Sequence, residues 1–285
     1  MEFKTVSTPF NNPLSKHFRR PAIYLRLPSS GKFYPDGSID LTTTNEIPVY
    51  PMTVKDELTL KTPDALLNGI GMVEVVKSCC PSIIDPWCMP SVDVDAVFIA
   101  IRLASYGPSM DFTSKCLNCD AKNQHAIDLQ VLLDRLHPAN YSEIVTIDQL
   151  KFKFKPQNYK NINQTNIITY EEQKLVTSII ANESLPEEEK IRRFNESFNK
   201  LKNMNITVLT SSIDSITTEE GIVVTDQNML NEFLENCSRQ VYEEIKLHIQ
   251  KLIDQNKLEK LTLPCDECQK NYETELTFDH SNFFG

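Results

Sequence analysis

The apolar positions change period several times along the chain. Ile23, Leu25 and Leu27 alternate with Ala22, Tyr24 and Arg26 between Pro21 and Pro28, which predicts a short strand with one buried face. Ser29-Ser30-Gly31 predicts a tight turn in which glycine takes a positive φ. A second strand is predicted around residues 47–50. Residues 53–105 read as helical. Thr53 and Asp56 make a capping box with Asp in place of the preferred Glu. Thr62 before Pro63 is an N-cap with proline at the first helical position, and Gly69 is expected to stop that helix. Met72, Val75 and Val76 share one face of a helix expected to end near Cys80-Pro81. The clearest helix spans residues 93–105. Val94, Val97, Phe98, Ile101 and Ala104 recur there at steps of three and four, and Gly107-Pro108 closes it.

A short strand through Ile127 and Leu129 and a brief helix follow. Lys151, Lys153 and Lys155 then alternate with Phe152 and Phe154, a strand with a basic outer face. Residues 169–255 read as mostly helical. Ser184 and Glu187 form a capping box there, and Glu187, Glu188 and Glu189 suit the first turn of a helix through its dipole. Two stripes, Ile191-Phe194-Phe198-Leu201 and Val241-Ile245-Ile249-Leu252, are read as faces packed on a core rather than coiled-coil seams. Strand-like text returns at 261–284, and the apolar ending Phe283-Phe284 suggests a tail pinned to the body or to a partner.

Four cysteines carry the strongest chemical signal: Cys116 with Cys119, and Cys265 with Cys268. Two intervening residues let both thiolates of a turn reach one metal, and two such turns complete the tetrahedral sulfur shell that Zn²⁺ accepts. Both pairs are followed by polar residues and then an alternating strand, as in the two halves of a zinc ribbon. Residues 120–264, which number 145, lie between them. A shared Zn²⁺ would close that long loop and stabilise the fold. A redox pair and plain buried thiols are the alternatives. Acidic neighbours, Asp120 and Asp266-Glu267, oppose the low thiol pKa that redox use needs. His125 and His280 could substitute as ligands, although surface histidines are the plainer reading. Cys79, Cys80, Cys88 and Cys237 read as small buried hydrophobes, and Trp87 as an interface anchor or a lid on the core. A closed sulfur shell leaves no position for metal catalysis, and no catalytic residues are assigned.

These patterns give an α+β fold: a mainly helical body with short strands and a split zinc-ribbon-like four-cysteine module. The expected organisation is a flexible basic arm (1–20), an N-terminal α+β domain with the first knuckle (21–136), a mainly helical insertion (137–260), and a C-terminal knuckle and strand returning to the N-terminal domain (261–285). The 285 residues can bury a sizeable core. Only 7 are Gly, and no phosphate-cradling loop, serine-nucleophile elbow or zincin motif appears. The net charge is 29 − 39 = −10, which disfavours general nucleic-acid binding. It is uneven: six basic residues and one acidic residue in 1–35 give +5, leaving −15 on the rest. A basic arm on an acidic body suggests docking to an acidic partner or to a second copy. No apolar run long enough to span a membrane and no secretory signal is read, so reduced thiols are expected.

Several segments, taken in order, carry a resemblance. The run from Leu27 through Ser29, Ser30 and Gly31 to Tyr34-Pro35 is one. Others are the text from Pro51 to Glu57, the helix ending Ala100 to Gly107, and Cys116–Cys119 followed by Asp128-Leu129. Together they resemble the T4-like bacteriophage baseplate protein family. The likeness covers about residues 21–136 well, and the C-terminal knuckle with its Phe-Phe ending is similar too. It implies a non-enzymatic baseplate hub subunit or hub assembly factor, binding other phage hub proteins during contractile tail assembly. It places the protein in the host cell cytoplasm during assembly and, for a retained subunit, in the virion tail baseplate. One departure is Pro90-Ser91-Val92-Asp93 where the family suggests Gly-Asp before the helix; Ser91 or Asp93 is then expected to cap. The alternative from the residues alone is a zinc-ribbon nucleic-acid-binding or regulatory protein, supported by the Lys151, Lys153 and Lys155 stripe.

Overall fold

The computed structural model describes residues 13–62, 68–137, 139–182, 185–257, 260–274 and 283. The Thr62-Pro63 cap (through Pro63), the Ser184 cap, His280, Phe284 and the first twelve residues of the arm lie outside them.

The alternation at the start of the domain folds as predicted. β1 (Ile23–Arg26) pairs antiparallel with β2 (Glu46–Val49), and Leu25, Ile47 and Val49 point into the core. Between these strands Ser30 and Gly31 both take positive φ, at 54° and 77°. α1 (Val54–Leu60) opens on the capping box: Thr53 Oγ1 accepts the Asp56 N–H, and the Asp56 carboxylate accepts the Thr53 N–H at 2.7 Å. α2 (Ile70–Cys79) ends where the sequence predicts. Gly69, expected as a helix stop, stands instead at the N-terminus of α2 with φ 69°. α3 (Ser91–Tyr106) is the central helix, buried on nearly every side from Val92 to Leu103. That all-round burial explains why its apolar stripe is so broad. Neither Ser91 nor Asp93 caps α3; Pro90 is the N-cap and offers no side-chain bond. Asp93 is fully buried and turns away from the helix end to accept the Ser29 N–H at 2.8 Å and the Ser29 hydroxyl at 2.5 Å.

The first core joins β1, β2, α2 and α3 with Leu129 and Leu132 of α4 (Leu129–Asp134), and it receives Phe283 from the far end of the chain. Trp87 lies over this core, its ring stacked on Tyr159 at 5.7 Å. At the chain's beginning, Pro13–His17 form a single 3-10 turn, and Arg19 is seated in the body. Arg19 donates to the Pro51 carbonyl, to the Ser78 carbonyl and hydroxyl at 2.7 Å each, and pairs with Asp56 at 3.3 Å.

The stretch after residue 137 holds more strand than its sequence suggests. β5 (Ile144–Ile147), β6 (Leu150–Phe154), β7 (Ile213–Thr217) and β8 (Val223–Val224) form one antiparallel sheet in sequential order. Phe152 and Phe154 of β6 point inward, as their alternation requires. α7 (Gln227–Asn236) and α8 (Arg239–Asn256) cover the sheet, and the Val241-Ile245-Ile249-Leu252 stripe is buried in this second core. Between β6 and β7 the chain makes a long helical hairpin, α5 (Tyr159–Ala181) and α6 (Glu187–Ser211). The Ile191-Phe194-Phe198-Leu201 stripe does not pack on a core as read from the sequence. Ile191 is 58% exposed and Phe198 68% exposed. Their part of α6 lies beyond the second core, which takes only Ile206 and Leu209 from that helix.

Candidate metal centre

Two β-hairpins bring the four cysteines together. β3 (Ser109–Lys115) and β4 (Lys122–Asp128) pair antiparallel around residues 116–121. β9 (Leu261–Pro264) and β10 (Asn271–Thr274) pair around residues 265–270. The two loops have the same construction. The Cys116 N–H donates to the Ala121 carbonyl at 2.9 Å, and the Cys265 N–H to the Lys270 carbonyl at 3.0 Å. The Asp120 N–H returns to the Cys116 carbonyl, and the Gln269 N–H to the Cys265 carbonyl, each at 2.9 Å. Asp120 and Gln269 take positive φ, 62° and 57°, just after the second cysteine of each pair. Few non-glycine residues adopt this region, so its recurrence marks one knuckle geometry used twice.

The knuckles face each other. Cys119 Sγ lies 3.5 Å from Cys265 Sγ, and Cys116 Sγ lies 3.8 Å from Cys268 Sγ. All four sulfurs fall within 4.8 Å of one another. These separations are far above a disulfide's ~2.05 Å. They fit the edges of a tetrahedron with metal–sulfur bonds of about 2.3 Å, which are roughly 3.8 Å. Cys116 and Cys265 are buried, Cys268 is half-buried and Cys119 is exposed. Such a donor set can hold a thiophilic ion that prefers four ligands. The Cys268 and Glu267 N–H groups point at the Cys265 sulfur and hold its pKa down to about 6. At Cys119 the Ala121 N–H pulls down, but desolvation and the facing thiols push harder, and the net shift is upward to about 12.

Polar lacing across the two hairpins escaped the sequence reading. Asn123, 2% exposed, accepts the Asp266 N–H from the opposite knuckle at 2.9 Å. Tyr272, 4% exposed, shares a hydrogen bond with Ser114 and another with His125 Nε2 at 3.2 Å. Asn123 follows Cys119 by four residues, as Tyr272 follows Cys268. The repeat was therefore in the text, but Asn and Tyr do not look alike. His125 is thus engaged with Tyr272 and is not one of the sulfur cluster.

The other thiols sit apart. Burial pushes Cys79 up to about 11 and Cys80 well above the ordinary thiol range. Burial and the Asp85 carboxylate raise Cys88 to about 11. All three stay protonated at neutral pH, as inert thiols do. Of the lysine stripe, Lys153 is paired with Asp214 at 2.8 Å.

The molecule is an α+β protein in which the hairpin at 261–274 returns to the hairpin at 109–128 through twin cysteine knuckles. Its sequence matches the family described as T4 bacteriophage base plate protein over residues 22–285, nearly the whole chain, and it belongs to that family. No curated protein and no solved structure matches it. Among the described residues no helix is long and apolar enough to cross a membrane.

Proposed function

We propose that this baseplate protein is a hub subunit or hub assembly factor that acts by binding other phage hub proteins, without catalysis, during contractile tail assembly. Its four cysteines, Cys116, Cys119, Cys265 and Cys268, hold one structural Zn²⁺. The observation that carries the assembly role is the family match from residue 22 to the C-terminus. The convergence of four sulfurs supports the zinc, because a redox pair needs two thiols and this site presents four at tetrahedral spacing. Bound there, the ion makes the intervening 145 residues a closed loop. The protein then works in the host cell cytoplasm while tails assemble, as a rigid body offering contact surfaces.

Mass spectrometry of purified virions beside assembly intermediates tests this. Presence in both identifies a hub subunit, and presence in intermediates alone identifies an assembly factor. Hub proteins should co-purify with the tagged chain from infected cells. Deletion should abolish plaques with tails arrested before hub completion. Normal tails in the deletion would overturn the role.

A further inference from the structure

Between the first and second cores lies a cavity of about 280 Å³. Phe154, Ile162, Ile249, Leu252 and Ile253 give it apolar walls, and Asp95 of α3 lines it from the other side. Most polar groups around it are already engaged. Gln157 donates to the Val208 carbonyl at 3.1 Å and the Ser212 hydroxyl at 3.3 Å. Asn256 donates to the Tyr141 hydroxyl at 3.0 Å and accepts the Ala139 N–H at 2.6 Å. Lys257 is bound to Asp254 at 2.8 Å. Asp95 differs. It has no hydrogen bond or ion pair among the described residues, and burial alone acts on it, raising its pKa. Lys155, shared with an adjoining cleft, makes no ion pair with it. Asp93, two residues earlier and on the opposite side of α3, has Ser29 for a partner.

We propose that this cavity receives one lysine or arginine side chain of a partner polypeptide, its methylenes against the apolar wall and its charge on the Asp95 carboxylate. Asp95 is half-buried, and a desolvated carboxylate without a partner is costly; a cation from outside removes that cost. An aliphatic stem with a charged head matches an apolar wall on which Asp95 is the one acid, beside Lys155 and the Asp254-bound Lys257. At about 280 Å³ the cavity sits at the small end of the roughly 300–1,000 Å³ range of ligand sites, with room for one long side chain. The charge balance agrees, since residues beyond 35 carry −15 and would draw a basic segment. This inference takes from the assembly reading only that partner polypeptides exist, and its test is made on the protein alone.

The test titrates the isotope-labelled full chain at low salt with N-acetyl-arginine amide, N-acetyl-lysine amide and the neutral N-acetyl-norleucine amide, followed by amide chemical shifts. Both cations should shift resonances around Asp95, Ile253 and Asn256 with millimolar affinity, about tenfold tighter than the neutral probe. Asp95→Asn should bring the cations to the neutral probe's level with the melting temperature kept. Ile253→Trp, at a position 40% exposed, should block all three probes. Equal binding of the three probes, cation binding unchanged in Asp95→Asn, or no shifts up to about 100 mM would each overturn the proposal. Any of those results would leave the hub assignment to its own test.

Discussion

The sulfur of Cys119 lies 3.5 Å from that of Cys265, although 146 positions separate them in the chain. Whatever joins these sulfurs removes a very long loop from the unfolded ensemble. In the chain-entropy picture a cross-link closing a loop of that length is worth about 5 kcal/mol. We therefore expect one Zn²⁺ per chain by elemental analysis of protein purified without chelator. Cys265→Ser or prolonged chelation should lower the melting temperature by roughly 10–20 °C. A wild-type melt after complete metal removal would reject the clasp.

A second prediction concerns acid. Burial raises the Asp93 carboxyl to about 6, against the opposing pull of the Ser29 hydroxyl and N–H. Between about pH 4 and 6 the native state then holds a proton that the unfolded chain has released. Stability from this group is full below that window and falls as pH rises through it, by roughly 3 kcal/mol. Asp93→Asn keeps an acceptor for the Ser29 N–H and removes the titration. Urea unfolding at pH 4.5 and 7.5 should show a flatter pH dependence in the variant than in the wild type. Identical slopes would show that Asp93 ionises without cost.

Arg19 supplies a third. Its guanidinium joins two backbone carbonyls, the Ser78 hydroxyl and the Asp56 carboxylate, and lies 5.8 Å from the Tyr50 ring centroid. The fork geometry makes all of these at once, which a lysine cannot do. Arg19→Ala should cost about 2–3 kcal/mol, since it also strips a buried carboxylate of its cation. Arg19→Lys should recover only part of that loss. Chemical denaturation of the three proteins measures it.

Arg19 also shows where the sequence stops being legible. Its surroundings in the text are polar and aperiodic, so it read as the end of a loose arm, yet its partners are 32 to 60 residues away. The elements that were legible carry local signals. The Thr53–Asp56 box, the Gly107 stop and the Phe152/Phe154 alternation each follow from neighbouring residues alone. The cysteine knuckles were visible because ligand spacing is local too. What failed was non-local. β7 and β8 are short strands between helices, and only the pairing of β7 with β6 and of β8 with β7 makes them part of a sheet. The stripe on α6 has core-like spacing, but spacing cannot say whether anything lies opposite.

That stripe leads to the last prediction. Where α5 and α6 pair away from the body, the contact includes polar groups. Glu172 is 4% exposed, and its Oε1 accepts from Lys200 Nζ at 2.6 Å. The buried Ser197 hydroxyl stands beside the Glu172 carboxylate, yet neither Oε2 nor that hydroxyl makes a hydrogen bond of normal geometry. Lys200 first, and the Ser197 hydroxyl after it, hold the Glu172 carboxyl below the usual carboxylate range. A half-satisfied ion pair stabilises poorly, and losing one member is worse than losing both. Lys200→Ala should therefore weaken the hairpin by about 1–2 kcal/mol, discounted because Lys200 is half in water. Glu172→Leu should be neutral or stabilising, since it removes the buried charge altogether. Phe198→Ser, on the exposed face, should change stability by no more than about 0.5 kcal/mol. Hydrogen exchange of the α5 and α6 amides resolves these effects, because local opening of the hairpin need not unfold either core. Faster exchange in Glu172→Leu than in Lys200→Ala would reverse this account of what holds the two helices together.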